Sequence, residues 1–245
     1  MTEPTLPEKV VRLHKALKRR KMPHAFGGAL ALAYCTEEPR ATRDIDMNVF
    51  VAEGDIETAF NGLPKGVTYD DSDVRKAVRD GQERVWWGKT PIDLFFSTHP
   101  FHDFAAETAR VVPFEKVRLP VLSGTALVVF KAFFDRPKDW VDIDEVAKAN
   151  GADFDVATAW TVQLLGDDDE RAERLNAIAQ QKHATGQSPS DLAVLQAVAA
   201  KRPAVQPSKP KGPVRCPMPT VRGTQCRHHM LPGRSCPTHG WTAPT

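Results

Sequence analysis

Two aspartates that stand two residues apart, Asp44 and Asp46, have the type and spacing that most directly indicate chemistry in this sequence. Residues 44–51 alternate polar and apolar side chains at their start, a pattern that predicts a β-strand. Side chains two residues apart on a strand point to the same face, so the two carboxylates are expected side by side. Their repulsion favours a cation between them, and Mg²⁺ is the hard ion that suits oxygen ligands.

A third carboxylate, Asp93, lies in residues 83–97, which predict a β-hairpin with its turn at Gly88-Lys89. Large apolar residues flank Asp93, and a carboxylate buried among them needs a partner. If this strand pairs with the Asp44–Asp46 strand, three carboxylates converge as the ligand set of a two-metal phosphoryl-transfer site. The alternative is that all three simply face water at strand ends or edges. Two aromatic residues of the hairpin, Trp86 and Trp87, are expected to pack there, with one of them lining a nucleotide pocket.

A phosphate-binding element is predicted upstream of the aspartates. Gly27-Gly28 precedes a short buried helix predicted over residues 29–34. Two glycines allow backbone N–H groups to turn toward one point, and a helix N-terminus favours negative charge. Arg40 and Arg43, just before the acidic strand, can also reach phosphate oxygens. A Gly-Gly pair alone is more often a simple turn, so the prediction depends on the order of these pieces.

The glycine turn, the short helix, the two arginines and the acidic strand, taken in this order, resemble a known family. Residues 24–34, His-Ala-Phe-Gly-Gly-Ala-Leu-Ala-Leu-Ala-Tyr, and residues 40–46, Arg-Ala-Thr-Arg-Asp-Ile-Asp, resemble the first motif of the DNA polymerase β-like nucleotidyltransferase superfamily. More narrowly they resemble its AbiEii-type toxin branch, in which a third acidic residue follows on a neighbouring strand, here matching Asp93. Residues 123–131 and 136–142 resemble the later block of that family.

The resemblance implies a transferase that moves a nucleoside monophosphate from an NTP to an acceptor hydroxyl and releases pyrophosphate. It implies that Asp44 and Asp46 bind two Mg²⁺ ions, and that Asp93 completes one metal site and helps to deprotonate the acceptor. Lys131 is then expected to neutralise negative charge on the triphosphate. Asp139 is expected either to pair with Lys131 or to act on the acceptor. The alternative for Lys131 is a solvated helix face, and two nearby acids, Asp142 and Asp144, are expected as surface charges.

Three cysteines and a histidine near the C-terminus predict a second kind of metal site. Thiolates and imidazole are good Zn²⁺ ligands, and four of them close a tetrahedral structural site. The segment has almost no apolar core, so a metal would have to fold it. The spacing C-x9-C-x9-C-x2-H also resembles a short Cys3His tail of bacterial and phage proteins. The predicted ligands, with His228 and His229 as substitutes, are Cys216, Cys226, Cys236 and His239. Otherwise the tail carries unpaired thiols.

Charge is unevenly distributed along the chain. Residues 201–245 contain eight Lys and Arg and no acidic residue, whereas the first 200 residues contain 25 basic and 31 acidic ones. This asymmetry indicates that the tail meets a polyanion, although a basic tail can also serve only solubility. The basic tail, together with the resemblance to the toxin branch, makes RNA, in particular a tRNA-like 3′ end, the first choice of acceptor. Protein or small-molecule (aminoglycoside-like) acceptors, a non-catalytic nucleotide-binding or nucleic-acid-binding adaptor, and a toxin held by an antitoxin protein remain open.

These features predict an α/β fold with four regions. A nucleotidyltransferase-type core, a small mixed sheet flanked by helices, is expected over residues 1–120, and a helical region over 121–200. A Pro-rich basic linker covers 201–214, and the zinc tail 215–245. No apolar run approaches the ~20 residues that span a bilayer, and no signal-peptide pattern opens the chain, so we expect a cytoplasmic protein without a membrane partner. The individual elements predicted are helices at 7–21, 55–63, 124–134, 138–148, 153–165, 168–182 and 188–200, and two strands over 110–122 broken at Pro113.

Overall fold

The computed structural model of the chain describes residues 3–185 and the backbone of two short strands at Val214–Arg215 and His229–Met230. The helix predicted over 188–200, nearly all of the linker and the proposed zinc ligands Cys216, Cys226, Cys236 and His239 lie outside the described residues. The chain divides into two compact units, Met1–Val128 and Val129–Thr245. The domain limits drawn from the sequence stay predictions.

The first unit alternates helices with the strands of one sheet. Its helices are α1 (Leu6–Arg19), α2 (Gly28–Thr36), α3 (Ile56–Phe60), α4 (Asp71–Asp80) and α5 (Phe101–Glu107), with a 3₁₀ turn at Glu53–Asp55. Its strands are β1 (His24–Phe26), β2 (Ile45–Val49), β3 (Val67–Thr68), β4 (Gln82–Trp87), β5 (Thr90–Phe96), β6 (Arg110–Phe114) and β7 (Val117–Val121). Within the described residues the sequence analysis missed β1, β3, α4 and α5 because each is short or lacks a long apolar period.

The seven strands form one mixed sheet in the order β3-β4-β5-β2-β1-β7-β6. The pairs β2–β5 and β1–β7 are parallel, and the other neighbours are antiparallel. The predicted α/β class, a mixed sheet flanked by helices, is therefore confirmed. The break predicted at Pro113 is wrong, because Pro113 lies inside β6 and the chain turns at Glu115, whose φ is +49°. A proline is tolerated there because β6 is an edge strand.

Strict alternation of side chains sets the two faces of the central strands. On β5 the side chains of Ile92, Leu94 and Phe96 are at most 1% exposed. Asp93 stands between them and therefore projects from the opposite face. Strand β2 repeats the pattern, with Ile45, Met47 and Val49 in the core and Asp46 on the other side. The apolar face thus anchors the strands and leaves the aspartates on the face away from these core residues.

The hairpin of β4 and β5 is tied to α1 by a buried lysine. Lys9 is 2% exposed, and its Nζ donates to the carbonyl oxygen of Trp87 (2.8 Å), to Oγ1 of Thr90 (2.8 Å) and to Oε1 of Glu3 (2.5 Å). Trp87 and Thr90 flank the two-residue turn Gly88-Lys89 that the sequence predicts. The lysine therefore fixes the closed end of the hairpin.

The second unit contains helical segments and, in its described backbone, one small strand pair. Helix α6 (Gly124–Phe134) contains the boundary between the units, and α7 (Pro137–Lys148), α8 (Phe154–Leu165) and α9 (Glu170–Ala184) follow. The two short strands, β8 (Val214–Arg215) and β9 (His229–Met230), pair antiparallel. In the part of the chain that the structure describes, no helix is both long enough and apolar enough to cross a membrane.

Candidate active site

The strand pairing brings two of the three predicted carboxylates together. In the parallel pair β2–β5, Asp46 and Asp93 are register partners. Neighbouring strands lie roughly 4.8 Å apart, so the two side chains stand next to one another on the same face. Asp44 lies in the bend that precedes β2, since the strand begins at Ile45 rather than at residue 44. All three aspartates are only partly exposed.

An arginine completes a row of charged side chains across three adjacent strands. Arg84 on β4 is the register partner of Asp93, and it donates from Nε to Oδ1 (2.6 Å) and from Nη2 to Oδ2 (2.7 Å). The hydrogen bond to Asp93 raises the pKa of Arg84, and the negative charges of Asp44 and Asp46 add to this effect. The guanidinium therefore lies within the field of all three carboxylates.

Arg84 is a site residue that the sequence analysis missed, although a signal for it was present. The predicted two-residue turn at Gly88-Lys89 makes Trp87 and Thr90 partners. Counting back three residues on each arm of that hairpin places Arg84 opposite Asp93.

We call Asp44, Asp46 and Asp93 the acidic row. The glycine pair lies directly against one of its members, Asp46. The N–H of Gly27 donates to the carbonyl oxygen of Asp46 at 2.9 Å. Gly28 has a φ of +49°, and a Cβ built on it would stand 1.8 Å from Oδ2 of Asp46. The carboxylate thus fills the place of a side chain at position 28, where α2 begins. The glycine turn therefore lies against Asp46, and the phosphate-binding role predicted for Gly27 and Gly28 stays a prediction.

Asn48 is a second residue that the sequence analysis did not identify. It lies on β2 two residues beyond Asp46, is 3% exposed, and its Nδ2 would stand 3.3 Å from a Cβ on Gly27. Its Oδ1 has no hydrogen-bond partner among the described residues. A buried amide oxygen without a donor costs free energy. Oδ1 of Asn48 could therefore accept a hydrogen bond from a ligand or coordinate a cation.

The two predicted phosphate-binding arginines lie in the segment that joins α2 to β2. Arg40 and Arg43 are both exposed there. Between them, the hydroxyl of Thr42 donates to the carboxylate of Asp44 and so orients it. The phosphate-binding role of these arginines stays a prediction.

Lys131 belongs to the second unit and takes part in a buried ion cluster. It is 8% exposed, which excludes the solvated helix face, and its Nζ donates to Asp139 (3.2 Å) and to Asp142 (2.6 Å). Arg136 also donates to Asp139, at 2.6 Å. Burial acts to raise the pKa of Asp139, but the hydrogen bond from Arg136 and the charge of Lys131 outweigh it and lower that pKa. The pairing of Lys131 with Asp139 is confirmed, whereas the expectation that Asp142 is a surface charge is wrong, since it is 5% exposed.

The donor chemistry of the acidic row fits a hard divalent cation. The side chains of Asp46 and Asp93 stand next to one another, and Asn48, whose amide oxygen has no hydrogen-bond partner among the described residues, follows Asp46 on the same face of β2. Carboxylate and amide oxygens are the ligands that Mg²⁺ and Mn²⁺ prefer. In the described residues, however, no three His, Cys, Asp or Glu side chains are grouped as a ready-made metal centre. Both oxygens of Asp93 accept hydrogen bonds from Arg84, so the third carboxylate is already engaged.

Comparisons with known proteins give structural neighbours only. No protein-family model and no curated protein matches the chain. Among solved structures it is similar to the antibiotic-resistance factor ANT(2")-Ia in complex with adenylyl-2"-tobramycin, at 14% identity and a TM-score of 0.44 over 75% of this chain and 99% of that one. It is also similar to an antigenic nucleotidyltransferase-like protein of Paracoccidioides brasiliensis, at 14% identity and a TM-score of 0.43, over 74% and 89%. These neighbours are nucleotidyltransferases or nucleotidyltransferase-like, but at this level of similarity they carry no argument about the reaction of this chain.

Proposed function

We propose that this protein is a magnesium-dependent nucleotidyltransferase that transfers a nucleoside monophosphate from an NTP to an acceptor hydroxyl. The observation that carries the proposal is the register of Asp46 with Asp93, together with the close contact of Gly28 and Asp46. Paired carboxylates beside a glycine turn at a helix N-terminus provide cation ligands and a phosphate-binding backbone in one place.

In this proposal Asp44, Asp46 and Asp93 hold Mg²⁺, which when bound polarises the α-phosphate and stabilises the leaving pyrophosphate. Asp93 also accepts the proton of the acceptor hydroxyl. The glycine turn at Gly27 and Gly28 is proposed to bind phosphate oxygens through the N-terminal end of α2, because the N–H of Gly27 itself is donated to the carbonyl oxygen of Asp46. Thr42 keeps the carboxylate of Asp44 oriented through its hydrogen bond.

For the acceptor we propose RNA, supported by the eight basic and no acidic residues of 201–245. Phosphate contacts from Lys and Arg supply most of the affinity of such segments, and the affinity falls with salt. A toxin-type role with an antitoxin partner is part of the proposal, and it rests on the family resemblance alone. The zinc site at Cys216, Cys226, Cys236 and His239 is likewise proposed, as the structural element of the tail.

The test is to incubate the purified protein with each α-³²P-labelled NTP, Mg²⁺ and total RNA. Label on RNA, lost in an Asp44→Ala/Asp46→Ala variant that still folds, would establish the reaction, the base and the acceptor class together. Label on protein, or on an added aminoglycoside, would keep the reaction and replace the acceptor. Absence of transfer to all three, with NTP binding intact, would favour the non-catalytic adaptor.

The zinc site is tested separately by metal analysis of the purified chain. We expect one zinc per chain, and chelation should change the proteolysis pattern of the tail. A protein without stoichiometric zinc, and with an unchanged pattern, would contradict this site but would leave the transferase proposal standing.

A further inference from the structure

We infer that Arg84 is an internal counter-ion that holds Asp93 until a divalent cation binds, and that is then released to bind the NTP phosphates. The inference rests on the proposed function and names a positioning and phosphate-binding residue for the same site. It begins from the bidentate contact of Arg84 with both oxygens of Asp93, at 2.6 and 2.7 Å.

The electrostatic argument concerns the charge of the row. Asp46 and Asp93 are register partners on adjacent strands, and Asp44 lies two residues before Asp46, so the like charges of these carboxylates repel one another. A guanidinium provides a planar pair of donors that matches a carboxylate, so it offsets part of this repulsion. Arg84 is also the next residue in register beyond Asp93, on β4, so its guanidinium lies in the same row as Asp46 and Asp93.

The exposure of the pair indicates which partner moves. The Arg84 side chain is 53% exposed, whereas that of Asp93 is 18% exposed. Asp93 is fixed in the centre of the sheet between buried apolar neighbours, but Arg84 has solvent on one side. Breaking the pair costs little, because solvent screens an ion pair in which one partner is exposed, and such a pair contributes little to stability.

Replacing Arg84 by a neutral residue should change the affinities for metal and for nucleotide in opposite directions. A positive charge at ion-pair distance opposes the binding of a divalent cation, so its removal should increase metal affinity in the absence of nucleotide. The same removal takes away a bidentate donor for phosphate, so binding of the metal–NTP complex should weaken. A residue with a purely structural role would not change the two affinities in opposite directions.

The experiment is a Mn²⁺ titration without nucleotide, with free Mn²⁺ measured by electron paramagnetic resonance, on wild type and the variants Arg84→Gln, Arg84→Lys and Asp93→Asn. We expect Arg84→Gln to bind Mn²⁺ about five- to tenfold more tightly, and Arg84→Lys, which keeps the charge, to stay within about twofold of wild type. Asp93→Asn should bind more weakly. The matched control is Arg79→Gln, because Arg79 also donates twice to a neighbouring carboxylate, that of Asp80, at 2.9 and 2.7 Å.

A second titration, with Mn²⁺ at saturation and increasing NTP, should show about tenfold weaker nucleotide binding for Arg84→Gln. Should that variant fail to fold, the ¹⁵Nε resonance of Arg84 in wild type replaces it, and saturating Mg²⁺ must shift this resonance. Unchanged or weaker Mn²⁺ binding by folded Arg84→Gln, or an unshifted resonance, overturns the inference while the transferase proposal stands. Wild type that binds no Mn²⁺ overturns both.

Discussion

At the scale of single residues, Gly28 lacks a side chain because the carboxylate of Asp46 fills that space. The Cβ of an alanine there would lie 1.8 Å from Oδ2 of Asp46, at a φ of +49° that side chains adopt with strain. Both effects force the aspartate or the glycine turn to move.

Gly28→Ala should therefore lower the free energy of unfolding by about 1–3 kcal/mol and reduce kcat/KM by about 100-fold, because a displacement of roughly 1 Å at a reacting group has that effect. Urea unfolding and the labelled-NTP assay measure the two. Gly54→Ala is the control, since a Cβ there meets nothing within 4 Å. Equal behaviour of the two variants would show that the contact with Asp46 is unimportant.

The two neighbouring tryptophans, which the sequence analysis does not distinguish, differ in their exposure to solvent. Trp87 is 6% exposed and packs in the core, as expected of the hairpin, whereas Trp86 is 46% exposed. Trp86 lies two residues from Arg84 on the same strand, hence on the face that carries Asp93. An exposed indole beside the acidic row is suited to stack on a base of the nucleotide or of the acceptor.

Trp87→Ala should cost about 3–5 kcal/mol of stability, as expected for a buried aromatic side chain. Trp86→Ala should cost less than about 1 kcal/mol but raise KM for the NTP or for the acceptor about tenfold, with kcat nearly unchanged, through lost stacking. Thermal unfolding and steady-state kinetics on both variants separate the two roles. A Trp86→Ala enzyme with normal KM values for both substrates would remove this residue from the site.

At the scale of elements, the position of the acidic row depends on how the hairpin is held. Lys9 of α1 donates to Trp87 and Thr90 on either side of the turn, and it is 2% exposed. A fully buried ammonium is stable only when its hydrogen bonds are satisfied, so this contact fixes the helix against the hairpin. Asp93 and Arg84 lie on the two strands that this contact holds.

Lys9→Met keeps the length and apolar stem of the side chain but leaves the carbonyl oxygen of Trp87 without this donor. We expect a loss of about 1–3 kcal/mol in the free energy of unfolding, the cost of an unsatisfied buried acceptor. Lys15→Met, at an exposed position of the same helix, should stay within about 0.5 kcal/mol of wild type. Urea titrations of the three proteins measure the difference, and equal midpoints would argue against the anchoring role.

At the scale of the whole molecule, buried histidines make stability depend on pH. Burial lowers the pKa of His102 to about 4, and burial, with the repulsion that a protonated His24 exerts, lowers the pKa of His14 to about 4. Nδ1 of His14 lies 3.0 Å from Nε2 of His24, whose own Nδ1 lies 2.8 Å from the carbonyl oxygen of Met22. Hydrogen bonds thus hold neutral rings within the fold.

The unfolded chain takes up these protons near pH 6.5, whereas the folded chain takes them up near pH 4. The unfolded state therefore binds more protons in that window. As the pH falls through it, each histidine lowers the free energy of unfolding, by about 2 kcal/mol at pH 5.

Urea unfolding at pH 7 and pH 5 tests this dependence. His102→Gln should show a drop in stability between the two pH values that is smaller by about 2 kcal/mol than the drop of the wild type. An equal drop in the two proteins would contradict it.

Much of the local structure follows from the sequence, because periodicity and turn chemistry act over a few residues. The turn at Gly88-Lys89, the alternation of β5 and the helix after the glycine pair depend on backbone sterics and on the two-residue period of a strand. The same local rules already place Arg84 opposite Asp93. For these features the sequence was sufficient.

The tertiary structure alone decided which distant segments meet. Asp46 and Asp93 are partners because β2 and β5 bury their apolar faces together in a parallel pair, and no local pattern specifies that register. The contact of Gly28 with Asp46, the burial of Asp142 beside Lys131, and the different exposure of Trp86 and Trp87 have the same origin. Each depends on the apolar surface that packing removes from water, which is a property of the assembled sheet and helices rather than of any short stretch of chain.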